Sequence, residues 1–131
     1  MSGKHVLALL AVTAGVPAAA QDFSCSNKAA EIRCSGGSCE AETDGFTPMS
    51  LSRTGNKLSI CAYSGCWEGS ILVRRTAGPV DLLYARVRQS AGTGGAGGGM
   101  GDLSVIYDRT SRTAQMRWGG FANAMGCAVE R

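Results

Sequence analysis

Leu58-Ser59-Ile60-Cys61-Ala62-Tyr63-Ser64-Gly65-Cys66-Trp67-Glu68-Gly69-Ser70-Ile71-Leu72-Val73-Arg74-Arg75 changes character with a period of two, the period of a half-buried strand rather than a helix. Leu58, Ile60 and Ala62 fall on one face, and Ser59, Cys61 and Tyr63 on the other. Beyond the Ser-Gly pair, Trp67, Ile71 and Val73 share parity across Gly69, which predicts a second strand over 67–75. The pattern continues downstream. After a turn at Gly78-Pro79, Leu83, Ala85 and Val87 alternate with Tyr84, Arg86 and Arg88, so this strand has a polar, wet second face. Leu103, Val105 and Tyr107 lead into Asp108-Arg109-Thr110-Ser111-Arg112. Ala114, Met116 and Trp118 then resume the parity, which reads as a hairpin. Upstream, Leu51-Ser52-Arg53-Thr54-Gly55-Asn56 loosely echoes 107–112, implying two similar hairpins rather than a duplicated domain. No window carries an apolar i, i+3, i+4, i+7 stripe over three turns, although Ser26 suits the cap of a short helix over 27–33. The expected fold is mainly β, a small antiparallel barrel or sandwich of about six to eight strands.

Residues 1–20 read as a secretion signal. Lys4 supplies the cation, Val6 to Val16 an uncharged apolar run, and Pro17-Ala18-Ala19-Ala20 the small residues before a cleavage site between Ala20 and Gln21. The run is about half of the roughly 20 residues a membrane span needs, so no anchor is expected after cleavage. Asp22-Phe23-Ser24 before Cys25 is not a lipobox. The expected mature chain, 21–131, has 111 residues, the size of a single domain. Without Lys4 it holds twelve Lys and Arg against ten Asp and Glu, a net charge of +2 with no basic block. Nucleic acid is therefore not an expected partner. Arg74-Arg75 and Arg86-Val87-Arg88 read as solvated strand edges.

Six cysteines, an even number in an exported chain, point to disulfides. Cys34-x4-Cys39 and Cys61-x4-Cys66 share a spacing that sets partners opposite each other across a tight hairpin. That favours Cys34–Cys39, Cys61–Cys66 and, by remainder, Cys25–Cys127. The spacers are longer than the Cys-x2-Cys of structural zinc sites and lack the βαβ context of a redox dithiol, so neither metal nor cofactor is expected.

The only histidine is His5, within the leader. The mature chain accordingly has no means of building a Ser-His-Asp triad, a Cys-His pair or a histidine-ligated metal centre. A carboxylate pair remains as acid–base chemistry, with Asp44, Glu68, Asp81, Asp102 and Asp108 as candidates; Asp81, Asp102 and Asp108 sit where Asp bonds local backbone. The run 92–101, Gly-Thr-Gly-Gly-Ala-Gly-Gly-Gly-Met-Gly, lacks the Lys-Ser/Thr of a phosphate-binding loop and reads as a flexible connection. No catalytic residue is expected. A binding surface is, at Tyr63, Ser64, Gly65, Trp67 and Glu68, where aromatics, a hydroxyl and a carboxylate surround a loop held by Cys61 and Cys66.

Phe23-Ser24-Cys25, the β-rich body, Ser64-Gly65-Cys66-Trp67 and a cysteine near the C-terminus together resemble the periplasmic inhibitors of C-type lysozyme. Those are small β-barrels whose Ser-Gly-x-x-Tyr loop enters the lysozyme cleft; here the aromatic comes one residue early and is Trp. Cys61-Ala-Tyr-Ser-Gly-Cys-Trp-Glu-Gly69 and Trp118-Gly-Gly-Phe-Ala-Asn123 also look like segments of uncharacterised small exported cysteine-rich bacterial proteins, which implies compartment and fold. The expectation is a secreted or periplasmic non-catalytic binding module, an inhibitor of an envelope-directed hydrolase in its sharpest form, with an envelope protein or glycan as partner. An envelope structural or assembly protein is the alternative, and a carboxylate-dependent glycan-acting enzyme the third reading.

Overall fold

The computed structural model describes residues 21–63, 65–90 and 99–129. The expected leader at 1–20, Ser64 and most of the glycine-rich run lie outside the described residues. Ten strands follow one another: β1 (Phe23–Ser26), β2 (Glu31–Ser35), β3 (Ser38–Glu42), β4 (Met49–Thr54), β5 (Lys57–Ala62), β6 (Gly65–Ala77), β7 (Val80–Gln89), β8 (Met100–Asp108), β9 (Thr113–Trp118) and β10 (Phe121–Val129). Eight of them pair antiparallel in the order β1-β4-β5-β6-β7-β8-β9-β10, and β10 pairs back onto β1 to close a barrel. Closure satisfies the backbone groups that two sheet edges would leave open. The β2–β3 hairpin is an insertion between β1 and β4, and it borders β10 where Arg33 faces Phe121.

Alternation places one face of every barrel strand inside. Phe23, Leu51, Leu58, Ile60, Val87 and Leu103 are fully buried, and an aliphatic side chain so placed stabilises the fold by about 1.5–3 kcal/mol relative to exposure. The echoing segments at 51–56 and 107–112 are indeed two hairpin turns, joining β4 to β5 and β8 to β9.

Three expectations change. The parity of β6 does not run through to Val73. Ile71 faces Ala85 and Val73 faces Tyr84, so one residue more is spent on β6 than on β7, a β-bulge at Leu72 that reverses the parity. Val73 is consequently 46% exposed, on the outer face, and Arg74 stands opposite the buried Leu83. The short helix over 27–33 is replaced by a turn and the start of β2. Asn27 Nδ2 donates to the carbonyls of Ala30 (3.0 Å) and Thr47 (3.2 Å), and Asn27 Oδ1 accepts from Met49 N at 2.7 Å, so the side chain closes a local turn at Ala30 and ties it to the chain at 47–49. Finally, the arginines of β6 and β7 occupy no edge, because both strands are paired on each side.

The three disulfides join Cys25 to Cys127, Cys34 to Cys39 and Cys61 to Cys66. Each links residues directly opposite in neighbouring strands.

The two ends of the barrel differ. At the lower end lie the turns at 55–56, 78–79 and 109–112, together with β1's start and β10's finish, where Phe23 faces Val129. A buried polar cluster sits inside it. Asp81, 1% exposed, accepts from Thr76 Oγ1 at 2.6 Å and pairs with Arg109 Nη1 at 2.9 Å. Burial opposes its ionisation, but these donors outweigh it and hold the carboxyl below its ordinary range. Beside it, Tyr107 stacks on Phe23 with ring centroids 4.2 Å apart. Its hydroxyl has no hydrogen-bond partner among the described residues.

Candidate functional site

The upper end carries the connection 27–48, the finish of β5 and start of β6, the finish of β7 and start of β8, and the short turn at 119–120. Two glycines explain how it accommodates two indoles. Trp67 shares the inward parity of Gly65, and a Cβ on Gly65 would lie 2.9 Å from Trp67 Cη2. On the facing strands, a Cβ on Gly101 would lie 2.9 Å from Trp118 Nε1. Both glycines therefore leave space that the rings fill.

From these positions an aromatic arc crosses the barrel end. Trp67 and Trp118 meet at 4.7 Å between centroids, tilted by 51°, and Trp118 stacks on Phe121 at 6.1 Å and 15°. The Arg33 guanidinium lies 5.4 Å from the Phe121 ring centroid, a cation–π arrangement. The charged form of Arg33 is favoured chiefly by Glu31 and more weakly by Tyr63, which is 76% exposed and sits in the left-handed region at φ 55°.

The inserted hairpin is what brings Arg33 to the arc. Buried Glu31 accepts from Arg33 Nε and, through Oε2, from Thr47 N at 2.8 Å. Burial raises the carboxyl's pKa, and the bonds from Arg33 and Thr47 more than reverse this, so it stays below the ordinary range. From the barrel side, buried Asn123 accepts from Ile32 N at 2.7 Å. Glu31, Asn27 and Asn123 thus fasten residues 27–48 at points far apart in the chain.

Flanking the arc is a groove of about 620 Å³, lined by Trp67, Trp118, Tyr84, Met100, Asp102 and Arg117, among others. Gly99, Gly101 and Gly119 also line it. The Tyr84 hydroxyl donates to Asp102 Oδ1 at 2.8 Å, which holds the phenol above its ordinary pKa, and Arg86 Nε lies 3.7 Å from the same oxygen.

Of the expected binding residues, Tyr63, Gly65 and Trp67 lie on this end; Ser64 lies outside the described residues. Glu68, adjacent to Trp67 in a strand, faces outward. It stands opposite Arg88 and borders a separate groove with Arg86 and Met100. That groove contains no second carboxylate among its described lining residues. Asp108 Oδ1 accepts from the backbone N–H groups of Thr110 and Ser111 at 2.8 and 3.2 Å, as its turn position predicts, whereas Asp81 and Asp102 bond side chains instead, the first buried against Thr76 and Arg109 and the second accepting at Oδ1 from Tyr84. Among the described residues no three Cys, His, Asp or Glu side chains are grouped to hold a metal ion.

Trp118, Phe121, Arg33, Tyr84 and Arg117 join the site without having been singled out for it. They come from strands distant in sequence. The signal available in sequence was Gly65 two residues before Trp67, whereas Gly101 meets Trp118 only across the sheet.

Comparison of the chain with protein-family models, with curated proteins and with solved structures returns no match. What the site can do chemically is therefore read from its own make-up. It offers stacked aromatic surface, a cation on an aromatic face and a few fixed polar groups, the equipment of recognition.

Proposed function

We propose that the protein is an exported, secreted or periplasmic, non-catalytic binding module whose contact surface is the aromatic end of the barrel. In its sharpest form it inhibits an envelope-directed hydrolase. The observation that carries this reading is the arc of Tyr63, Arg33, Phe121, Trp118 and Trp67, gathered from five strands or their connections onto one end. Aromatic and arginine side chains are the commonest anchors of protein interfaces, and the disulfide between Cys61 and Cys66 fixes the loop bearing Tyr63 before any partner arrives. Three disulfides suit an oxidising compartment.

The test is stoichiometric binding and inhibition of C-type lysozyme and of a panel of peptidoglycan hydrolases. Tyr63→Ala is expected to weaken binding at least about tenfold, some 1.4 kcal/mol, with an unchanged melting temperature. Failure to bind any member of the panel removes the inhibitor reading.

A second reading, an envelope structural or assembly protein, is favoured by a different observation. Leu82 faces Ile106 on the outer wall, and with Leu72 and Val73 they are 42–60% exposed. Self-association that rises with concentration and disappears in Leu82→Lys would select it.

A further inference from the structure

The groove beside the aromatic arc combines two kinds of surface. Trp67, Trp118 and Met100 supply apolar area, while Asp102, Tyr84 and Arg117 supply hydrogen-bonding groups. Its volume of about 620 Å³ is that of a small-molecule site, which typically spans about 300–1,000 Å³. The lining holds one carboxylate and one guanidinium, and Arg86, with Nε 3.7 Å from that carboxylate, is paired with it. That disfavours polyphosphates and other strong anions, which call for clustered cations. An extended peptide would need an open strand edge for main-chain pairing. None exists here, because β7, β8 and β9 are each paired on both sides.

A pyranose unit fits these conditions. One of its faces presents C–H groups that pack on an indole, and its rim presents hydroxyls that both donate and accept. A carboxylate accepts from two vicinal hydroxyls and a guanidinium fork donates to two. Asp102 has its Oδ1 held by Tyr84, so the carboxylate is oriented before a ligand arrives, and pre-orientation lowers the cost of binding.

We infer that this groove is a binding site for an uncharged saccharide, with the indole surface that Trp67 and Trp118 turn to its lining as the apolar platform and Asp102 and Arg117 as the hydroxyl-binding pair. The inference rests on the aromatic end being a contact surface, but it does not depend on the partner being a hydrolase.

The chain supplies its own reporter, since Trp67 and Trp118 are its only tryptophans and both line the groove. The protein is titrated with chitotriose, cellotriose and maltotriose while tryptophan emission is followed. At least one is expected to give a saturable change, and Asp102→Asn and Arg117→Gln are each expected to weaken it about tenfold or more without moving the melting temperature. No saturable change with any of the three up to about 10 mM, roughly 2.7 kcal/mol of binding, overturns the inference, as does binding that neither variant weakens. The lysozyme and hydrolase panel is run on the same preparation. Capture of a hydrolase without sugar binding overturns the saccharide site and leaves the inhibitor reading standing, whereas sugar binding without capture supports the site and removes that reading.

Discussion

Gly69 illustrates how much one missing side chain can matter in a closed barrel. A Cβ there would come 2.0 Å from the Arg86 carbonyl oxygen, so backbone rather than a flexible side chain must move. Gly69→Ala is expected to destabilise by about 1–3 kcal/mol, the cost of overpacking. Gly126, in β10, has nothing within 4 Å of the same position, and Gly126→Ala should fall within about 0.5 kcal/mol of the parent. Urea melts of the two variants check the contrast, and equal midpoints would show that the β6–β7 approach is slack. Tyr107 makes an opposite case. Its buried hydroxyl is unpaired among the described residues while its ring stacks on Phe23. Removing an unsatisfied polar group and keeping the ring costs little, so Tyr107→Phe is expected to melt no lower than the parent; a loss above about 1 kcal/mol would mean the hydroxyl is satisfied in solution. Sequence reading stops short at this scale. The inward positions of Leu58, Ile60 and Ala62 were legible from parity, whereas Val73 was not, since a bulge adds a residue without any local marker and turns every later side chain over.

Among the elements, the β2–β3 hairpin and the barrel wall are held by different means. The Cys25–Cys127 bridge spans 102 residues of sequence, against five for Cys34–Cys39. By the chain-entropy estimate the first contributes about 4.7 kcal/mol and the second about 2. Replacing each pair by Ala and comparing unfolding free energies should reproduce that order, and equal losses would point to residual structure in the unfolded chain. The hairpin depends further on Glu31. Its folded pKa is depressed, so the stability it contributes is present above the ordinary value near 4.5 and is lost as pH falls through the lower folded value. The amides of Ile32 and Thr47 should therefore lose exchange protection below about pH 4.5, after correction for intrinsic rates. Glu31→Gln should show reduced protection already at neutral pH and no further acid step; an acid profile identical to the parent's would remove Glu31 as the cause. The turns at 78–79 and 108–112 could be read in advance from their composition. The insertion could not, because what holds it is tertiary: Asn27 reaching Thr47 and Met49, and Asn123 reaching Ile32.

For the molecule as a whole, β alternation gave the class of fold, but barrel and sandwich remained equally compatible with it, since the same strands serve either. The pairing of β1 with β10 decides between them, and it joins residues about a hundred positions apart. The candidate site was legible in part for the same reason. Tyr63, Gly65 and Trp67 share a local segment, whereas Trp118, Phe121 and Arg33 reach them only through closure and through the inserted hairpin. A compositional pattern reports local periodicity, and a site assembled around a ring has none.

That ring also has no natural beginning. Phe23 sits opposite Val129 on antiparallel neighbours, which is the arrangement of a hairpin lacking its turn. A short Asn-Gly-type turn between 129 and 23 would complete it, and new ends could then be opened at Gly36-Gly37, the exposed tip of the β2–β3 hairpin. Such a permuted chain is expected to fold to the same barrel with one cooperative melt and native disulfides by peptide mapping. Failure to fold, with Cys25–Cys127 mispaired, would show that the order in which the strands are made matters as much as the contacts they finally make.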